Sequence, residues 1–172
     1  MSKNLQLELL EHYPIRDVAI GLNEPSGLAL NRSGSKLYTV SDDTKAIFNL
    51  NLQGKIITSS SFLVELNDLE GLALTSDDNE IIVVQESSNS VVRFDIANRK
   101  EIRRSPLSAM KNYDQIANHF RNEDLNKGLE GITINFSNDH VFVIKEGKPG
   151  LLIELDSECK TILNCCVLNE EC

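Results

Sequence analysis

Three glycines set the spacing of the residues best suited to chemistry. Gly27, Gly71 and Gly131 are each followed fourteen residues later by a polar residue, Ser41, Gln85 and Lys145. The next residue is an acid every time: Asp42, Glu86 and Glu146. Two of the glycines are also preceded by an acid, Glu70 and Glu130, and the third by Ser26. Carboxylates gathered in this way suit three kinds of chemistry. They can hold Ca²⁺ or a similar hard cation together with backbone carbonyls. A close pair can do acid–base work with one pKa raised. Each can also accept backbone N–H groups of a neighbouring unit and so tie units together. On this reading Asp42, Glu70, Glu86, Glu130 and Glu146 are the candidate metal ligands. Ser26, Asp68 and Lys145, at the same end of each unit, are candidate ligand contacts.

The elements that must position these side chains are short strands. Each glycine opens an apolar strand, a polar turn follows, and a second strand ends at the acid. Asn31–Ser35, Ser76–Asn79 and Ser137–Asp139 supply the turn residues. Two more strands complete each unit, giving about forty residues and four strands, the size of one propeller blade. The units span about 24–64, 68–106 and 128–168. The stretch 107–127 is an insertion in which Met110, Tyr113, Ile116, Ala117 and Phe120 recur at helical steps. It predicts one short amphipathic helix, either a lid or packing. Residues 17–22 predict a strand ahead of the first unit. The fold class is therefore all-β and β-propeller-like: three four-stranded antiparallel blades, an incomplete ring, one helical insertion, one domain over 1–172.

Simple hairpin geometry makes a sharper prediction. With turns centred near residues 34, 78 and 138, Ser26 lies opposite Asp42, Glu70 opposite Glu86, and Glu130 opposite Glu146. Opposed side chains in a hairpin stand about 4.5–5.5 Å apart at Cβ. If the first strand of every blade lines a shared axis, these groups converge at one end of a channel. Three units do not close a ring, since propellers have about four to eight blades. The expectations are a longer chain, assembly with another copy, or an open stack of blades.

Composition limits the function classes. The chain has 172 residues, 41 % of them apolar, with 5 % aromatics and no Trp, so its core must rest on Val, Ile and Leu. A net charge of -9 opposes nucleic acid and anionic lipid surfaces and suits cations. The four cysteines, Cys159, Cys165, Cys166 and Cys172, fall near the carboxyl end without CxxC spacing. They suit a reducing compartment or a poorly structured tail rather than a disulfide framework. His12, His119 and His140 lack metal-site spacing, Ser26 has no histidine near it in sequence, and no phosphate-binding glycine loop occurs. No catalytic residue is nominated. Met1–Glu11 lacks the features of a secretory signal, and no run of ~20 apolar residues spans a membrane.

The phrases Glu24-Pro25-Ser26-Gly27-Leu28-Ala29, Leu37-Tyr38-Thr39-Val40-Ser41-Asp42, Asp68-Leu69-Glu70-Gly71-Leu72-Ala73 and Gly128-Leu129-Glu130-Gly131-Ile132 resemble the SdiA-regulated (YjiK-like) β-propeller family. Glu146-Gly147-Lys148-Pro149 fits as well. The resemblance covers about residues 13–165, the amino-terminal part of that family's domain. It implies a propeller related in shape to six-bladed folds, phytase-like and NHL-type propellers among them, in a periplasmic or membrane-anchored protein. The expected function is a non-enzymatic binding module whose acidic channel mouth binds Ca²⁺, another divalent cation, a small ligand or a protein. The alternative is a metal-assisted, phytase-like or esterase-like hydrolase using the same acids.

Overall fold

The computed structural model describes residues 7–121 and 127–168. Twelve strands form three four-stranded antiparallel sheets. The first sheet holds β1 (Pro25–Leu30), β2 (Leu37–Ser41), β3 (Thr44–Leu50) and β4 (Phe62–Leu63). The second holds β5 (Leu69–Leu74), β6 (Glu80–Gln85), β7 (Ser90–Asp95) and β8 (Lys100–Pro106). The third holds β9 (Leu129–Asn135), β10 (His140–Lys145), β11 (Gly150–Leu155) and β12 (Ile162–Leu168). In each sheet the strands lie in chain order, so every connection is a hairpin. The sheets stack as blades, with β5 packed between β1 and β9.

The apolar pattern explains the stacking. β6 reads Ile81-Ile82-Val83-Val84, and all four side chains are fully buried. Alternate residues serve opposite neighbours. Ile81 and Val83 join Tyr38, Val40, Ile47, Leu72 and Leu74 between blades one and two. Ile82 and Val84 join Val91, Val141, Val143 and Ile153 between blades two and three. A strand covered on both faces reads as a continuous apolar run for this reason. The first hairpin turn of each blade is tightened by one left-handed residue: Gly34 (φ 69°), Asp78 (φ 58°) and Asp139 (φ 57°).

Three local expectations are corrected. The insertion is not one α-helix but three 3₁₀ turns, Leu107–Ala109, Tyr113–Gln115 and Ala117–Phe120. Asn112 is left-handed (φ 68°), which no helix interior tolerates. Lys111 is also drawn into a backbone bridge with Thr161. The apolar residues of this stretch still face one way, because Leu107, Met110 and Ile116 are buried in the core between blades two and three. The segment therefore packs against the blades over its described part; residues 122–126 of the polar loop lie outside the described residues. Residues 17–22 form a 3₁₀ turn, Val18–Ile20, and not a strand. The Asp17 side chain caps Ala19 N–H, and Gly21 (φ 86°) turns the chain back to bridge Asp17 with Leu22. The full fourth strand expected in each unit is reduced in blade one to Phe62–Leu63 plus an isolated bridge at Ile56.

Cys159 is buried, Cys165 is half-buried and Cys166 is exposed, all as free thiols. Cys165 and Cys166 lie within β12, so this part of the chain is ordered sheet. Burial pushes the Cys159 thiol upward in pKa. Cys172 lies outside the described residues.

Candidate functional site

The acids converge at one end of the inner strands, through a register different from that of simple hairpins. In blade two, Leu69 pairs with Gln85 and Leu72 with Val83, so Glu70 and Gly71 occupy a bulge. In blade three, Leu129 pairs with Lys145 and Gly131 with Ile144, leaving Glu130 as the extra residue. In blade one, Pro25 pairs with Ser41 and Gly27 with Val40, leaving Ser26 extra. The predicted cross-strand pairs Ser26–Asp42, Glu70–Glu86 and Glu130–Glu146 therefore do not form as ladder partners. The partner of Glu86 is Asp68, whose carbonyl accepts the Glu86 N–H at 3.1 Å. Likewise Glu146 N–H donates to Gly128 O at 3.1 Å and Asp42 N–H to Glu24 O at 3.4 Å. A bulge adds one residue to one strand and re-aims its side chain. Here it turns the acids from partners within a hairpin into partners across a blade junction.

Two carboxylate triads result. Asp42 of blade one meets Asp68 and Glu70 of blade two. Glu86 of blade two meets Glu130 and Glu146 of blade three. Within each triad, carboxylate oxygens lie within 4.8 Å of one another. The triads are electrostatically continuous. Burial raises the Glu70 pKa, the charges of Asp42, Glu86 and Asp68 raise it further, and a hydrogen bond from Ser26 opposes the shift. Glu130 is pushed up to about 7, first by burial and then by the charges of Glu70, Glu86 and Glu146.

The scaffold forces this crowding. A Cβ at Gly27 would stand 2.6 Å from Glu70 O, and one at Gly71 would stand 2.9 Å from both Glu130 O and Gly131 Cα. Only glycine lets the inner strands approach so closely. That approach carries the residue before each glycine against the next blade. Asp68 is left-handed (φ 63°), which turns its carboxylate onto Ser87 N–H at 2.5 Å.

Two acids also carry structural hydrogen bonds, and one of them, Glu86, has the tying role between blades. Glu86, only 6 % exposed, accepts Gly128 N–H through Oε1 at 2.9 Å and clips blade three to blade two. Asp68 holds the Ser87 turn of its own blade. Lys145, the residue before Glu146, is fully buried: its Nζ donates to Glu146 O at 2.7 Å and stands 5.5 Å from the centre of the Phe120 ring. It supports the backbone at the site. Two contributors escaped the sequence reading. Gly128 is a donor whose role needs the bulged register to be seen. Lys127 places Nζ 3.5 Å from Glu146 Oε1 and supplies a cation at the rim of the second triad. Of the histidines, His140 pairs through Nδ1 with Glu154 at 2.8 Å, at the start of β10.

The SdiA-regulated family matches the sequence over residues 7–166. The chain belongs to the SdiA-regulated family. No curated protein matches this SdiA-regulated chain by sequence. Among solved structures it is similar to Hydrazine Synthase of Kuenenia stuttgartiensis, with a TM-score of 0.60 and 14 % identity, over 87 % of this chain and 38 % of that one. It is also similar to the β-propeller domain of Myceliophteria thermophila Cps50 (Swd1), with a TM-score of 0.57 and 17 % identity, over 84 % of this chain and 42 % of that one. At such identities the likeness establishes the propeller fold alone. The SdiA-regulated chain thus spans less than half the length of these propeller structures. Among its described residues, no helix is long and apolar enough to cross a membrane.

Proposed function

We propose that this propeller module binds a divalent cation, Ca²⁺ by the hardness of its oxygen donors, at the acidic end of its inner strands, and that it is a binding module rather than an enzyme. One observation carries this reading. Two inter-blade triads hold six carboxylates in one continuous field, and burial together with that field lifts Glu130 to about 7. Carboxylates that close repel unless a proton or a cation neutralises them. Ca²⁺ takes six to eight oxygen ligands at about 2.3–2.6 Å, and the triads supply carboxylates from three blades. Asp42, Asp68 and Glu70 form one candidate ligand group and Glu86, Glu130 and Glu146 the other, with Ser26 beside Glu70. A cation there would also lock the blades in register, because every triad spans a junction.

The test is calorimetric titration of Ca²⁺ into metal-stripped protein, beside the Glu70→Gln, Glu130→Gln double variant. Saturable binding in the wild type and none in the double variant supports the reading. Silence in the wild type removes it. Turnover of a phosphate-ester or carboxylic-ester panel with Ca²⁺, abolished in the double variant, would favour the hydrolase instead.

A further inference from the structure

We infer that the outer edge of blade one carries a second binding site, a cleft that takes a small anionic amphiphile, an apolar chain with a carboxylate head. None of the six triad acids lines this cleft, and it needs no cation.

A shortened strand opens it. β8 and β12 run for seven residues each, but β4 has only two. β3 therefore meets β4 only at Ala46–Leu63 and Ile47–Phe62. Beyond those pairs Asn49 O accepts the Ile57 N–H at 2.7 Å, and the Asn49 N–H donates to Ser61 Oγ at 3.0 Å. Residues 58–60 form a turn there instead of continuing the strand. The facing wall comes from the chain ahead of the blade. At Gly54 (φ 73°) an added Cβ would stand 2.9 Å from Pro14 O and 2.7 Å from Ile15 Cγ2. Glycine permits that close approach, which holds the two walls at a fixed spacing. Asn51 Oδ1 accepts the N–H groups of Gln53 and Lys55, at 3.0 and 2.9 Å, and sets the turn that carries Lys55.

The cleft consists of two adjoining cavities, of about 190 and about 330 Å³, which share Ile20, Ile56 and Thr58. Their chemistry differs. The smaller is lined by the buried side chains of Ala46, Phe48 and Phe62, with Leu63, 82 % exposed, at its edge. No charged residue lines it. The larger carries Arg16 and Lys55 on its walls. Its one acid, Asp17, has its carboxylate on the Ala19 N–H at 3.1 Å. Among the described residues, neither Arg16 nor Lys55 has an ion-pair partner.

Charge complementarity selects the occupant. Two unneutralised cations side by side, in a chain of net charge -9, make a local spot that attracts an anion. A guanidinium grips a carboxylate through two parallel hydrogen bonds. The apolar end, reached past Ile20 and Ile56, then takes the chain behind that head. A wholly polar ligand leaves the apolar end to water, and an uncharged one leaves Arg16 and Lys55 unanswered. An amphiphilic carboxylate meets both ends. The larger cavity alone falls within the ~300–1,000 Å³ of small-molecule sites.

The test is calorimetric titration of octanoate into the metal-stripped full chain, with acetate as the head alone and octanol as the chain alone. The expected result is one saturable site for octanoate, bound about tenfold or more tighter than octanol, with acetate silent. Arg16 and Lys55 are exposed, so Arg16→Glu with Lys55→Glu should fold, as circular dichroism would verify. That variant should lose about tenfold or more in octanoate affinity and none in octanol affinity. Thr58 is exposed as well, and Thr58→Phe fills the passage between the cavities and should weaken both ligands. The Glu70→Gln, Glu130→Gln double variant should bind octanoate as the wild type does, so this site and the cation site fail separately. Silence of the wild type toward octanoate overturns the inference. So does octanol bound as tightly as octanoate, or octanoate binding that survives both the charge reversal and Thr58→Phe.

Discussion

Replacing Glu130 by Gln should stabilise the metal-free protein at neutral and alkaline pH. The Glu130 carboxyl has a pKa of about 7 in the fold, against 4.5 for an unperturbed glutamate. Between those values the folded state binds a proton that the unfolded chain has released. Stability therefore falls as pH rises from about 4.5 to about 7 and stays low above that. At about 1.4 kcal/mol for each tenfold change, a fully buried group would lose about 3 kcal/mol. Glu130 is only partly shielded from solvent, and screening reduces this to about 1–2 kcal/mol. Gln removes the charge and can still donate a hydrogen bond to Glu86, as the protonated carboxyl does. The variant should thus melt about 3–6 °C above wild type at pH 8 in EDTA and near it at pH 5. With saturating Ca²⁺ at pH 8 the order should reverse, because the wild type, with one more ligand carboxylate, gains the greater binding energy. Thermal unfolding followed by circular dichroism in the four conditions reads all of this. A Gln variant that is less stable than wild type at pH 8 in EDTA would refute the claim of unneutralised repulsion.

Other consequences follow from named contacts. Gly71→Ala should destabilise by about 1–3 kcal/mol, because the new Cβ strikes the backbone of Glu130 and Gly131. Gly131→Ala should cost clearly less, since only Ile144 must move; equal losses in urea unfolding would contradict the close approach of blades two and three. Glu86→Ala leaves Gly128 N–H without its acceptor and should cost about 1–3 kcal/mol, while Glu86→Gln keeps an acceptor and should lose less than half of that. Arg93→Met should loosen the second junction at its outer side. The Arg93 guanidinium reaches Glu80 at 2.8 Å and the Ser157 carbonyl, so hydrogen exchange should quicken at Ser157 and its neighbours and not in blade one.

The blade plan was legible because stacking imposes it on sequence. Each blade needs a glycine where inner strands touch, and alternate apolar residues where faces meet. Ile81-Ile82-Val83-Val84 could hardly be read otherwise. The convergence of Asp42, Glu70, Glu86, Glu130 and Glu146 was legible in the same way, as a consequence of register along a shared axis. The route to it was not. Counting residues about a turn assumes an unbroken ladder, and a bulge before each glycine breaks it. The glycines themselves were the available signal, since a strand glycine marks either close approach or a bulge; here they mark both. The insertion was misread as a helix because apolar spacing of three and four also suits successive 3₁₀ turns. Only the left-handed Asn112 and the tie from Lys111 to blade three separate the two, and both arise from tertiary contacts. Asp17–Leu22 turned back for a local reason, the Asp17 cap and Gly21, visible as residue types but outweighed by the apolar run between them.

The central claim is that the cation and the Glu130 proton compete for one acidic cluster. It is tested most directly by counting protons released as Ca²⁺ binds, from titration heats at pH 7 in buffers of different ionisation enthalpy. Ligand carboxylates must be deprotonated to bind metal, and near its pKa Glu130 is about half protonated. The account predicts release of roughly half a proton for each cation bound, vanishing in Glu130→Gln. Ca²⁺ binding with no proton release, or with release unchanged in Glu130→Gln, would contradict it.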